Sequence, residues 1–475
     1  MDALDRERMT DAEAVSWRAE RDRLLRSTHA ALWFLDRAPD RGRFEWKLER
    51  STRDLPLLRK RVVEDSLGIA TPRWEVDAAF DLAYHLRLLR APGDGSLRAL
   101  LDLAEPLVMQ GFDRDRSPWE LYLIEGLQRG RAALLVKWHP VLEGGRGLLA
   151  LGGALVDRFR APEPDWVPQP LPAPVPRRVG PLAEVVDAVG CRARSEASWL
   201  RDLGGRAATS LAVLALTAPR AAVETAASVA SLTETQSEPP PSSASPLLAE
   251  RTAALRLDSF QVGLSDLARA AKGARATIGD VLAAGATAGC ALYHELHGVT
   301  IETLRLAPPL DRRDGEAPLA ATCAAMLGSF AFALEGADAV ASIRSLHAGA
   351  RAHRAAHPDP DTLARLVARL PGALGAALLT RAGRSVDLAT TVLAAPTSDL
   401  YVSGARVERI AAFAPLAGAA AHLTAFAYDG GLALGLGTDR AAIPDPEVFV
   451  RCVQRGLADT IAAASGRAAA RRQAA

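Results

Sequence analysis

Prolines crowd one stretch, RAPEPDWVPQPLPAPVPRRVGP at residues 160–181, and return in a second, TQSEPPPSSASP at 235–246. Neither a helix nor a central strand runs through such segments, because proline lacks the backbone donor and clashes with the turn before it. The chain must therefore fold in blocks. At 475 residues it also exceeds what one ordinary core supports. The expected parse is an N-terminal domain over 1–160, a proline-rich and helical connector over 161–250, and a C-terminal domain over 251–475. Within the connector, the alanine-rich run 182–233 reads as helix.

Both domains mix the two hydrophobic periods. FDLAYHLRLLR (80–90) reads as a strand and SLRALLDLAEPLVMQ (96–110) as an amphipathic helix. WELYLIEGL and RAALLVKWH bracket Gln128-Arg129-Gly130 as a hairpin whose second strand ends at His139. Pro140 fits that end, since a residue before proline is pushed to extended geometry. GLLALGGALVDRF, from Gly147, returns to a helical pattern, so KWHPVLEGGRG lies in a strand-to-helix loop. Further on, Thr277 and Asp280 form a capping box for a helix running to Gly298. Asp429-Gly430 joins two apolar strands within 421–437, and a last helix starts near Pro444, burying Val448, Val450 and Ile461 or their neighbours. Strands and helices without regular β-α-β alternation predict an α+β fold.

Charge and cysteine usage narrow the function. Lys+Arg 57 against Asp+Glu 56 leaves a net charge of +1, which offers nothing for nucleic acid. Cys191, Cys290, Cys323 and Cys452 have no metal-ligand spacing and form no disulfide framework, so a reducing cytoplasm is expected and no metal. The charged N-terminus lacks a signal-peptide core, and Pro219, Arg220 and Glu224 interrupt the apolar run 208–232. Gly144, Gly145 and Gly147 are not a phosphate loop, since no GK[ST] follows.

Six stretches occur in one order: FDLAYHLRLL, SPWELYLIEGL, ALLVKWHPVLEGG, TIGDVLAAGATAG, LYVSGARV and AYDGGLALGLGTDRAAIPD. Together they resemble the bacterial wax ester synthase/diacylglycerol acyltransferase family. The resemblance implies two chloramphenicol-acetyltransferase-like domains with the active site in a tunnel at their interface. It also implies acyl transfer from acyl-CoA, as co-substrate and without a cofactor, to a lipid or other hydrophobic hydroxyl. Contact with the inner membrane or a lipid droplet from the cytoplasmic side belongs to the same expectation. The family's motif is His-His-x-x-x-Asp-Gly, and here two registers compete. Ungapped from Lys137, the second His becomes Pro140 and the Asp becomes Gly144. With one residue missing, His139 is the working His, Glu143 replaces Asp, Gly144 is the motif glycine and Gly147 falls where relatives often carry another. The second register is favoured.

On that register His139 is the expected general base, since a neutral imidazole suits proton transfer near neutrality. Glu143 would support the loop through Arg313, which matches an arginine of the family. Trp138, Asp280 and His422 are expected along the tunnel, although the capping box alone explains Asp280 and His422 equally reads as a satisfied core histidine. Trp119 reads as packing. His294 and His297 sit in a last helical turn, where a cation suits the helix dipole, and no third ligand suggests a metal. His347, His353 and His357 read as a solvated helix face. Gly279, Thr391 and Val392 depart from the family's polar residues. The alternative function is a homologue that keeps the fold and binds a hydrophobic ligand or acts as a scaffold without turnover, or a pocket repurposed for another reaction.

Overall fold

A computed structural model of the chain describes residues 8–64, 70–143, 152–153, 155–161, 172, 174–175, 180, 183, 185–194, 197, 245–312, 329–334, 338–356, 364, 367–368, 372–394 and 399–466. The N-terminal part runs α1 (Asp11–Ala19), β1 (His29–Leu35), α2 (Arg41–Asp54), β2 (Lys60–Val63), β3 (Arg73–Val76), α3 (Leu82–His85), β4 (Leu86–Arg90), α4 (Leu97–Met109), β5 (Trp119–Glu125) and β6 (Ala132–Trp138). After the connector come β7 (Leu255–Val262), α5 (Leu264–Ala274), α6 (Ile278–Leu296), β8 (Thr303–Leu306), β9 (Leu310–Arg312), β10 (Phe330–Ala333) and α7 (Ala339–Ala356). The chain continues through α8 (Gly372–Arg384), β11 (Leu388–Ala394), β12 (Tyr401–Val402), β13 (Ala405–Phe413), β14 (Ala421–Tyr428), β15 (Gly431–Asp439) and α9 (Pro446–Ala464).

The strands form two mixed sheets and a separate two-stranded ribbon of β2 and β3, as the irregular alternation of periods leads one to expect. The first has the order β12-β13-β1-β6-β5-β4, the second β10-β8-β11-β14-β15-β7 with β9 beside β11. Each buries its faces by the period of two. Leu32, Tyr122 and Leu135 meet Leu100 and Ala104 of α4 on one face of the first sheet. On its other face, Leu121, Leu134 and Val136 meet Trp17 of α1 and Phe44 and Leu48 of α2. In the second sheet Leu388, Leu423, Leu434 and Leu436 pack under Leu282, Val453 and Leu457 of α6 and α9.

The first sheet is not built from the N-terminal domain alone. β12 and β13, which the sequence parse leaves in the C-terminal domain, complete it, with Ala30 facing Phe413 and Leu32 facing Ala411 across β1. Nothing in the local pattern of 401–413 reveals that partner, because a strand's periodicity records burial and not which edge it joins. β15 of the second sheet lies directly on this strand. A Cβ on Gly435 would stand 2.1 Å from the Ala412 carbonyl oxygen, which no real contact allows. Gly435→Ala is therefore expected to destabilise the chain by about 1–3 kcal/mol or more, as overpacking does. A thermal melt unchanged from the parent would show that the two sheets do not meet there.

Several local expectations hold. The β5–β6 hairpin pairs residue for residue from Trp119↔Trp138 to Ile124↔Ala133, around a turn with Arg129 and Gly130 at φ 63 and 70°. Thr277 and Asp280 form their capping box at α6, and β14 and β15 pair across Asp429-Gly430. Others need correction. Residues 80–90 are not one strand: the Asp81 side chain accepts the Ala83 N–H and starts the α3 turn, leaving β4 only 86–90. β6 ends at Trp138, one residue before His139, because Pro140 has no donor for the ladder and opens a 3₁₀ turn, Pro140–Glu143. α9 starts at Pro446 and buries Phe449 and Ile461, while Val448 and Val450 are half-buried. The middle and end of the connector's helical run fall outside the described residues, whereas 185–194 are helical.

Candidate active site

At the end of the first sheet, the alternation that buries β5 and β6 turns charged side chains inward. Glu120 and Lys137 are cross-strand partners and both are buried. Lys137 Nζ lies 3.1 Å from Glu120 Oε2 and 4.5 Å from the centre of the Phe112 ring. The Tyr122 hydroxyl donates to the same carboxylate at 2.5 Å. Burial holds the Lys137 ammonium below its usual pKa, and Glu120 opposes that shift. The same burial, with Glu120 beside it, pushes the Tyr122 hydroxyl up.

His139 comes next, and it is fully buried. Its backbone N–H donates to the Pro118 carbonyl at 3.0 Å, extending the hairpin by one bond. The 3₁₀ turn then brings the Val141 N–H to His139 Nδ1 at 3.2 Å. That donor marks Nδ1 as the ring's lone-pair nitrogen. Nε2 lies 3.4 Å from Glu20 Oε2, a close approach without an aligned hydrogen bond. Trp17 meets the ring edge-on at 5.2 Å and Phe112 does so at 6.3 Å. Glu20 is the residue that ends α1, and its Oε2 also accepts the Ser27 N–H at 2.7 Å. Burial raises its pKa, but His139, Ser27 and Arg26 together hold it below the ordinary value, so the carboxylate stays charged.

Sequence reasoning missed Glu20 and Trp17. Both belong to α1, whose start is legible from the Thr10–Glu13 capping box, but no spacing links that helix to a histidine so far along the chain. Of the expected supports, the Glu143 side chain, Gly144, Gly147 and Arg313 lie outside the described residues, and so does His357. Trp138 packs in the core of the first sheet, its ring 5.5 Å from His29. Trp119 is packing, as read, and its indole N–H donates to the Leu58 carbonyl at 2.8 Å.

Asp280 and His422 are held in two separate clusters. Asp280 does more than cap α6: its Oδ2 also lies 2.7 Å from His347 Nδ1. His347 is thus not a purely solvated residue, because α7 packs this side against the start of α6. His353 stands 5.9 Å from the Phe330 ring. His294 is no exposed last-turn cation either. It is buried, with Nε2 2.5 Å from Ser245 Oγ and Nδ1 2.6 Å from the Cys290 carbonyl, and burial lowers its pKa. His297 does meet a carboxylate, Asp445, at 3.0 Å.

His422 lies buried, Nε2 2.9 Å from Thr391 Oγ1 and Nδ1 2.8 Å from the Pro415 carbonyl. Burial pushes its pKa from 6.5 down to about 4, against the weaker pull of that carbonyl. The folded group is the weaker base, so its contribution to stability is complete above pH about 6.5 and is lost as the pH falls towards about 4. Melting temperatures between those values should fall more steeply for the parent than for His422→Gln. Parallel curves would show that His422 is not held neutral.

Likenesses to known proteins place these features. Family models described as the wax ester synthase/diacylglycerol acyltransferase catalytic domain and the WS/DGAT C-terminal domain match residues 8–282 and 323–460. A Mycobacterium tuberculosis protein named as a diacylglycerol O-acyltransferase is 30% identical over 465 residues, covering 94% of this chain and 90% of its own. Among solved structures, the wax ester synthase/diacylglycerol acyltransferase from Marinobacter aquaeolei VT8 superposes with a TM-score of 0.61 at 18% identity, over 96% of this chain and 99% of that one. The first condensation domain of the calcium-dependent antibiotic synthetase follows with 0.55 at 15%, over 97% and 96%. These superpositions establish the two-domain, chloramphenicol-acetyltransferase-like α+β fold.

Proposed function

The chain belongs to the wax ester synthase/diacylglycerol acyltransferase family, and from that premise we propose that it moves a fatty acyl group from acyl-CoA to the hydroxyl of a hydrophobic acceptor, with His139 as general base. One observation carries the residue assignment: a charged carboxylate, Glu20, stands against Nε2 of the motif histidine. A carboxylate on that side favours the proton on Nε2 and leaves Nδ1 as the basic nitrogen. It also stabilises the imidazolium formed when Nδ1 takes a proton. In this reading the acceptor hydroxyl takes the position at Nδ1 that the Val141 N–H occupies here at 3.2 Å. The hydroxyl oxygen then attacks the thioester carbonyl as its proton passes to His139. The C–S bond breaks, and the thiolate recovers the proton from the imidazolium. The products are an ester and free CoA.

An apolar acceptor reaches such a site from a lipid surface, so peripheral membrane or lipid-droplet contact is part of this reading. Phe159, 63% exposed between Arg158 and Arg160, is a fitting point of contact. Among the described residues no single helix is long and apolar enough to cross a membrane.

A second reading rests on the burial of His139 and Pro140. There His139 is a strut tying α1 to β6, and the chain binds an acyl ligand without turning it over. Incubation with acyl-CoA and either a long-chain alcohol or diacylglycerol separates the two. The first reading gives ester. The second gives binding alone.

A further inference from the structure

His85 stands at the same end of the first sheet as His139. It precedes β4, and β5 lies between β4 and β6, so the two backbones are two strand spacings apart, roughly 10 Å. Its ring is buried between Trp119, at 4.3 Å and 16°, and Phe80, at 5.1 Å and 19°, and the Arg59 guanidinium lies 4.3 Å from the Phe80 ring. Tyr84 meets it edge-on at 5.2 Å. The ring therefore has little freedom to turn.

Its nitrogens are equally fixed. Nδ1 lies 2.8 Å from the Trp119 carbonyl, which only accepts, so Nδ1 carries the hydrogen. Burial lowers the pKa, against the pull of that carbonyl and of Glu120 and Asp77, and the ring is neutral near neutrality. Nε2 then holds a lone pair. It is buried and has no hydrogen-bond partner among the described residues. The nearby charges are engaged elsewhere: Arg116 with Asp77 at 3.2 Å, and Glu120 with Lys137 and Tyr122. A buried acceptor left unpaired is costly, so each one calls for an explanation.

We propose that His85 Nε2 accepts a hydrogen bond from an O–H or N–H group of the elongated apolar ligand bound at this end of the sheet. The ligand's class rests on the acyl-transfer reading above. Two sources share this chemistry: a hydroxyl of the acceptor, or an amide N–H of the acyl donor's pantetheine arm.

Calorimetric titration of the full chain with two probe pairs tests this. Hexadecan-1-ol and hexadecyl methyl ether differ in a hydroxyl; decanoyl-N-acetylcysteamine and its N-methyl amide differ in an N–H. The parent should prefer the donor-bearing member of one pair by roughly ten-fold, and the pair that responds identifies the source. His85→Phe, which keeps a flat ring in the stack, should erase the preference while binding the other member as before. The His85 Nε2 resonance in ¹⁵N-labelled parent should shift with the same probe. That second measurement decides the matter if the variant does not fold. A preference retained in His85→Phe would overturn the proposal. So would a parent that discriminates in neither pair with an unmoved resonance, which would mean that a bound water alone satisfies Nε2. Ester formation without this discrimination defeats only the present inference, and discrimination without ester formation defeats only the acyl-transfer reading.

Discussion

His139→Ala should lower acyl transfer by roughly 10²- to 10⁴-fold per folded molecule, the usual worth of a positioned base. The variant also removes a side chain that touches Glu20, Trp17 and Phe112, so some stability goes with it. Rates must therefore be compared at equal folded concentration, measured by circular dichroism. Glu20→Gln separates the two roles. It keeps a side chain of the same size beside Nε2 and removes only the charge, so transfer should fall with little change in melting temperature. A strut would behave in the opposite way: both variants would melt earlier, and the folded fraction would keep whatever turnover the parent has.

The largest loss of stability should come from Lys137→Met. The substitution leaves the Glu120 carboxylate buried with, among the described residues, only the Tyr122 hydroxyl for a partner. Breaking one side of a buried ion pair typically costs about 3–5 kcal/mol, because the remaining charge has lost its counterion and is still out of water. Replacing both, as Lys137→Met with Glu120→Gln, should recover much of that loss, since no charge is then stranded. Urea unfolding measures both. A single-variant loss under about 1 kcal/mol would mean that Glu120 reaches water or takes up a proton, and that the pair is not the closed arrangement described here.

How far the sequence could be read depended on the distance over which each feature is determined. The β5–β6 hairpin, the Thr277–Asp280 cap and the Asp429-Gly430 turn are settled by residues a few positions apart, and all three were legible. The start of β4 was not, because Asp81 begins a turn inside what looks like an unbroken apolar run. The placement of β13 in the first sheet, the contact of Glu20 with His139 and that of Asp280 with His347 join residues far apart in the chain. Only the folded backbone brings those together. The motif histidine itself is legible from its setting in a resemblance, which also implies Glu143 as a support of its loop through Arg313; the Glu143 side chain and Arg313 lie outside the described residues. The carboxylate beside its ring, Glu20, comes from α1, far back in the chain.

The most direct test of the account is the reaction of the unaltered chain. Purified protein is mixed with palmitoyl-CoA and hexadecan-1-ol, and ester and free thiol are followed together by mass spectrometry and thiol titration. Hexadecyl palmitate and free CoA should appear one for one. Folded protein that binds palmitoyl-CoA and yields no ester from the alcohol, or from diacylglycerol offered in its place, would contradict it.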